Sequence, residues 1–397
     1  MGRQQQAKPR SHTTLGGSLA TYPRGTARRY RQVAFALALL LAALASGVFA
    51  AAWYASGRFM AIVHVHDAYP LRVAAIDAHR GIVILDRGPD AAEPGSFRLA
   101  WHGGQALLGA VLSLTHGTVT RRVSNVQGRL AAGTAVGIEP DLYTGDPLTA
   151  LHLEFSTVSV PTSLGGMPAW YLPGRHSTWV ILVHGLGGSR ADTLPAMPIL
   201  HALGYPMLAI SYRNDTGAPQ TPDHHNHLGA SEWHDLAAAV NYALSHNASG
   251  VVLYGYSLGG SMALMAARDP AIRPHVRAVV LDSPLLDWPA TIDYAAHRHG
   301  IPGAFALLTE ALLAYRAHID YGQFDQLEHE SQLRVPVLLF QGTADTVVPP
   351  HLAAQFAHNR PGLVSYVPVA GADHASAIDT DPSIYKAALV RFLAVLP

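Results

Sequence analysis

Val251-Val252-Leu253-Tyr254-Gly255-Tyr256-Ser257-Leu258-Gly259-Gly260-Ser261-Met262-Ala263-Leu264-Met265 is the stretch that decides the fold. Four apolar residues of buried-strand type run into Gly-x-Ser-x-Gly, and an Ala/Met-rich helical run follows. The chain must turn from strand to helix within a few residues. Small residues two before and two after the serine permit that turn. The Ser257 hydroxyl is then held at a helix N-terminus, where the dipole favours developing negative charge. A serine so placed becomes a nucleophile when an imidazole takes its proton. The imidazole in turn needs a carboxylate on its other nitrogen to fix its tautomer and orientation.

Working outward, strand-like runs recur at Thr178–Val183, Met207–Ile210, Ala278–Leu281, Val335–Phe340 and Leu363–Val369. Helical patterns lie between them at Arg190–Leu203, Glu232–Ser245 (with Ser231 as N-cap), Leu258–Arg268 and His351–Asn359. This alternation over 151–397 predicts an α/β fold, a mostly parallel sheet with helices on both faces. Sites in such sheets form past the strand ends. Past Val335–Phe340 comes Asp345, the candidate orienting acid. Past Leu363–Val369 comes His374, the candidate base. Asp282, just past Ala278–Leu281, and Asp373, beside the base, compete with Asp345. His184-Gly185-Leu186-Gly187-Gly188 ends the strand Thr178–Val183, and the N–H groups of Leu186 and Leu258 are the candidate oxyanion donors.

Residues 58–150 read as short β-like runs, among them Phe59–Val65, Gly81–Leu85 and Ala106–Leu114, with a turn at Arg87-Gly88-Pro89-Asp90. No chemical motif occurs there. The region is expected to be a small β-rich module or an elaborated sheet edge.

Val33 to Ala55 contains no charged residue and is long enough to cross a bilayer of about 30 Å as a helix. Trp53 and Tyr54 stand at its end, where aromatic rings favour the membrane interface. Arg3, Lys8, Arg10, Arg24, Arg28, Arg29 and Arg31 precede it with no acidic residue among them. The positive-inside rule therefore predicts a basic cytoplasmic tail (1–32), a signal-anchor (33–55) and an extracytoplasmic remainder. A cleaved signal peptide is the competing reading, with Val48-Phe49-Ala50 as its cleavage site. Both readings export the rest of the chain.

Composition narrows the remaining classes. With 27 basic and 27 acidic residues the formal net charge is zero, which argues against a nucleic-acid partner. The chain has no cysteine, which excludes disulfides, thiolate metal sites and a cysteine nucleophile. There are 23 histidines, so a histidine alone carries little information. His224, His225, His227 and His234 cluster without the carboxylate spacing of a metal site. Arg213 is expected to pair with an internal carboxylate, and Trp233 to pack in the core. Residues 285–334 fall where a short lid or cap would be inserted. Phe305, Leu307, Leu308, Leu312 and Leu313 there form an apolar run that suits either an acyl pocket or plain helix packing.

From about Phe155 to Pro397 the chain resembles an α/β-hydrolase. It is similar to the branch of serine aminopeptidases, monoacylglycerol-lipase-like enzymes and prolyl-oligopeptidase-type catalytic domains. The resemblance rests on Val183-His184-Gly185, Gly255-Tyr256-Ser257-Leu258-Gly259, Leu281-Asp282-Ser283-Pro284, Gly342–Pro349 and Asp373-His374. It implies ester hydrolysis through an acyl-enzyme on Ser257, His374 and Asp345. It further implies a small-molecule acyl ester or peptide as substrate, and no metal or organic cofactor. Epoxide- and halide-releasing relatives use an aspartate nucleophile, which Ser257 argues against. A peptidase on the same triad, an acyltransferase and a non-catalytic membrane-anchored binding protein are the alternatives.

Overall fold

The computed structural model describes residues 24–62, 69–88, 91–92, 97–139 and 144–396, with side chains described from Arg28 onward. The chain divides into two compact units, Met1–Ala51 and Ala52–Pro397. The described part of the first is helical, the start of α1 (Arg24–Met60). α1 is the one helix among the described residues long and apolar enough to cross a membrane. The large apolar side chains of its uncharged run, Phe35, Leu37, Leu40 and Leu44 among them, are exposed. The helix outruns the uncharged segment at both ends. Phe59 and Met60, read from sequence as the start of a strand, form its last turn, and 63–65 lie outside the described residues.

The second unit holds two sheets. The first is a closed barrel of β1 (Leu71–Asp77), β2 (Ile82–Asp86), β3 (Phe97–Trp101), β4 (Gly104–Leu114), β5 (Thr118–Gln127) and β6 (Ala135–Glu139), in the order β1-β2-β5-β4-β3-β6. Antiparallel pairing of Leu71 with Val136 closes it. Closure leaves no strand edge to pair with another chain. Alternate residues point inward, and Val73, Val83, Leu85, Leu99, Leu108, Val119 and Val136 fill the interior. Register breaks along β4 and β5 supply the bends that a small barrel needs. Arg121 is fully buried in this wall, its Nε donating to the Gly109 carbonyl at 2.8 Å and its guanidinium lying 5.1 Å from the Phe97 ring centre.

The second sheet follows the short helix α2 (Pro147–Leu151). Its eight strands are β7 (Ser156–Thr162), β8 (Gly165–Leu172), β9 (Thr178–Val183), β10 (Met207–Ile210), β11 (Gly250–Tyr256), β12 (Val276–Asp282), β13 (Val337–Gly342) and β14 (Val364–Val369). The order is β14-β13-β12-β11-β9-β10-β8-β7. The six strands from β14 to β10 are parallel, and β8 pairs antiparallel with both β10 and β7. Strands covered on both faces read as continuous apolar runs, and every residue of β9 and β11 is buried.

The helices are α3 (Met197–Leu203), α4 (Trp233–Ser245), α5 (Leu258–Arg268), α6 (Trp288–Arg298), α7 (Gly303–Ala317), α8 (Pro350–Asn359), α9 (Ala377–Thr380) and α10 (Pro382–Leu393). On β9, Trp179, Ile181 and Val183 face the core beneath α4 and α5, while Val180 and Leu182 face the one beneath α3 and α10.

Two local expectations are corrected. Arg190–Leu203 is not one α-helix but a 3₁₀ turn, Arg190–Ala196, followed by α3. Pro195 and Pro198 supply no N–H, and a proline ring obstructs the turn before it. Ser231 does not cap α4, because Glu232 occupies the cap position. The buried Glu232 carboxylate instead gathers the N–H groups of His227 (2.7 Å), Gly229 (2.9 Å) and Ser231 (3.2 Å), which fixes the turn ahead of the helix.

Leu253, fully buried at the middle of β11, tests this core. Leu253→Ala is expected to lower the unfolding free energy by about 2–5 kcal/mol in urea titration. A negligible loss would mean that β11 is not the central strand.

Candidate active site

Ser257 stands between β11 and α5 with φ +50° and ψ −117°, a backbone state that costs a non-glycine residue energy. Two glycines make the turn possible. A Cβ on Gly255 would lie 2.3 Å from the Gly259 carbonyl oxygen, and one on Gly259 would lie 2.4 Å from the Val183 carbonyl oxygen. The Ser257 N–H donates to the Asp282 carbonyl (3.0 Å), and its own carbonyl accepts from Gly260 and Leu285 (both 3.0 Å). The residue is thus tied to β12 as well as to its own helix.

His374 follows β14. Its Nδ1 lies 2.9 Å from Asp345 Oδ2 and 3.2 Å from Oδ1. Asp345 is almost fully buried, and its carboxylate is held from every side. Oδ1 accepts the N–H groups of Val347 and Val348 (2.9 Å each), and Oδ2 accepts Gln341 Nε2 (2.8 Å). These donors stand in for the water that burial takes from the carboxylate. No hydrogen bond joins Ser257 Oγ to His374 among the described residues; imidazole–hydroxyl contacts of this kind commonly tighten only when substrate is bound.

The rival carboxylates are occupied elsewhere. Asp373 Oδ1 accepts the N–H and hydroxyl of Thr346 and the N–H of His374. Asp282 is fully buried beneath the elbow. Its Oδ2 accepts Tyr385 Oη at 3.0 Å, and Tyr385 is itself bonded to Tyr254 Oη. Its Oδ1 accepts Ser283 Oγ at 3.2 Å, and that hydroxyl accepts the Ala375 N–H at 2.9 Å. Asp282 therefore braces the loop that carries His374 without touching the imidazole. Burial raises its pKa to about 6, against the pull of the Tyr385 and Ser283 bonds. Burial, followed by the charge of Asp282, raises Asp379 to about 7.

Leu186 lies in the turn closed by the Gly188 N–H on the Gly185 carbonyl (3.2 Å), which leaves the Leu186 N–H outside that bond. The Gly185 carbonyl is also contacted by Tyr212 Oη (2.7 Å) and His184 Nδ1 (2.9 Å). In a trans peptide the N–H points away from the carbonyl, so these contacts fix the direction of the Leu186 donor. A Cβ on Gly185 would sit 3.0 Å from Ser257 Cβ, so this turn lies against the serine. Leu258 is the first residue of α5, and its N–H has no partner within the helix.

Sequence reasoning assigned no role to Asp215 or Tyr212. Asp215 Oδ2 lies 2.8 Å from the buried His184 Nε2 and also accepts the Tyr212 N–H, while Tyr212 stacks on the imidazole. Burial alone would push the His184 pKa down, but the charge and hydrogen bond of Asp215 outweigh it and hold the pKa above its ordinary value. Arg213 pairs with Asp235 through Nε (2.9 Å) and Nη2 (2.8 Å), an internal carboxylate. Of the clustered histidines, His227 Nε2 meets Asp223 (2.9 Å) and His224 Nδ1 meets Gln220 (2.7 Å). No group of three metal-ligating side chains occurs among the described residues.

The parallel sheet, the elbow after β11 and the carboxylate–imidazole pair past β13 and β14 define the α/β-hydrolase fold. Residues 178–300 match the family described as alpha/beta hydrolase fold. Residues 72–139, the barrel from β1 to β6, match a separate domain of unknown function, DUF8805. An uncharacterized protein of Mycobacterium tuberculosis is 28% identical over 239 residues, 58% of this chain and 74% of that protein. The uncharacterized protein YfhR of Salmonella typhimurium is 27% identical over 227 residues, 54% of this chain and 67% of its own length. Among solved structures, the Pyrococcus furiosus esterase Pf2001 superposes with a TM-score of 0.52 at 20% identity, over 64% of this chain and 95% of the esterase.

Asp282 makes stability depend on pH. Its folded pKa of about 6 lies above the unfolded value of about 3.9. The stability associated with its protonated form is fully present below about pH 3.9 and is lost as pH rises through about 6. Urea unfolding of Asp282→Asn beside the parent should therefore show the variant gaining relative stability between pH 4 and pH 7. A difference that stays constant across that window would contradict the assignment.

Proposed function

We propose that this chain is a serine hydrolase that cleaves carboxylic esters through an acyl-enzyme and is held at the membrane by α1. The observation that carries the reading is the contact of His374 Nδ1 with the buried, fully hydrogen-bonded Asp345 carboxylate. That pairing keeps the proton on Nδ1 and leaves Nε2 as the base. Nε2 takes the Ser257 proton as Oγ attacks the acyl carbonyl carbon. The charge that forms on the carbonyl oxygen is met by the N–H groups of Leu186 and Leu258 at the positive end of α5. His374 returns the proton to the departing alcohol. It then deprotonates a water, which attacks the acyl carbon; the bond from that carbon to Ser257 Oγ breaks, and the proton passes from His374 to Oγ as the acid is released.

The anchor reading rests on charge asymmetry. The tail before Val33 is basic and carries no acidic residue, which favours a cytoplasmic N-terminus and a catalytic unit on the opposite side of the membrane.

Fluorophosphonate labelling of the full chain in detergent tests the nucleophile. The parent should label, and Ser257→Ala should neither label nor hydrolyse esters while keeping its circular dichroism spectrum. Asp345→Asn should still fold and lose about 10⁴-fold in kcat, since the imidazole would be held in the wrong tautomer. Turnover persisting in Ser257→Ala would refute the mechanism.

A further inference from the structure

α7 departs from what a solvated helix requires. Ala304, Leu307, Ala311 and Tyr315 are exposed along one face, Leu307 by 66% and Tyr315 by 75%, and the exposed Ile301 stands just ahead of them. The only charged residues of α7, Glu310 and Arg316, are half-buried. A helix facing water places its charges on the outer face. Single exposed apolar residues are ordinary, but a whole outer face without charge marks a contact surface.

The contacts of Arg316 indicate what covers that face. Its Nη1 donates to the Trp53 carbonyl and to Ser56 Oγ, both at 2.6 Å, and its guanidinium lies 4.1 Å from the Trp53 ring centre. Trp53 and Ser56 bracket Ala55, where the uncharged run ends. More contacts hold this last part of α1 in place. Phe59 meets Trp288 of α6 edge to face, Met60 is buried in the core, and Asn226 donates to the carbonyls of Met60 (2.9 Å) and Ala61 (3.0 Å). The C-terminal end of α7 is therefore fixed beside the end of the uncharged run of α1. α7 packs on α6, and Tyr294 of α6 donates to the Asp345 carbonyl at 2.8 Å, which joins this helix pair to the site.

We propose that α7 lies in the membrane interface with its Leu307–Tyr315 face among the lipid chains, and that the substrate is a lipophilic ester drawn from that bilayer. The surface rests on the anchor reading and the substrate class rests on the hydrolase reading. Interfacial helices bind through the apolar area they bury, and this one is tied to the anchor.

The absence of cysteine lets Leu307→Cys carry a single polarity-sensitive dye on the full chain in phosphatidylcholine vesicles. Blue-shifted emission quenched by nitroxide lipids is expected. Unshifted emission would overturn the proposal, and so would a shift without nitroxide quenching, which would mean that protein covers the stripe. In a second arm, Leu307→Glu combined with Tyr315→Glu should slow cleavage of a vesicle-embedded long-chain ester about tenfold. Its rate on a soluble short-chain nitrophenyl ester should stay unchanged. Equal effects on both esters would overturn supply from the bilayer. A parent inactive on both would refute the hydrolase reading and the substrate class, while the dye measurement would still decide the surface.

Discussion

The site depends on the approach of three backbone segments at the end of the central strands. Gly255 and Gly259 bring α5 against β11 and against the end of β9, where no side chain fits. Ser257 is thereby forced into a positive-φ state whose cost is of order 1–3 kcal/mol. The surrounding core offsets that cost. β9 and β11 are buried along their whole length, and the hydrogen bonds from Ser257 to Asp282 and from Leu285 to Ser257 fasten the turn to the next strand. The serine is left half-buried while its neighbours on both sides are buried.

Around this point one residue type performs four different tasks. Asp345 meets the His374 imidazole, Asp282 braces the loop behind it through Ser283, Asp215 holds His184 against the Gly185 carbonyl, and Asp235 neutralises Arg213. Each is sheltered from water, and partners separate them. Asp345 accepts two backbone N–H groups and a side-chain amide. Asp282 lies fully buried among tyrosines, and burial raises its pKa against the pull of its two hydroxyl donors.

Both ends of two strands were legible in the sequence, and the ends of the other parallel strands to within two residues. Thr178–Val183 and Met207–Ile210 are the bounds that form, because a strand buried on both faces must be apolar throughout and must stop where polar and glycine residues begin. Helix starts were less legible. Ser231 has the residue type of a cap, yet Glu232 takes the position because its longer side chain reaches three N–H groups at once. The barrel of β1 to β6 showed only as β-rich runs, since closure between Leu71 and Val136 joins residues far apart in the chain. Leu307 was grouped with residues suited to an acyl pocket or to plain helix packing, but it faces outward, and composition alone does not orient a helix.

By itself the sequence determined the alternating architecture, the elbow at Ser257, and the chain order in which a carboxylate and an imidazole follow later strands. It did so because these are local matters: apolar period, turn size and position past a strand end. Only the tertiary structure decided which carboxylate meets His374, what His184 and Arg213 hold, and which face of α7 is left bare. Those outcomes depend on side chains brought together from strands and helices distant in sequence, and local pattern carries no information about that distance.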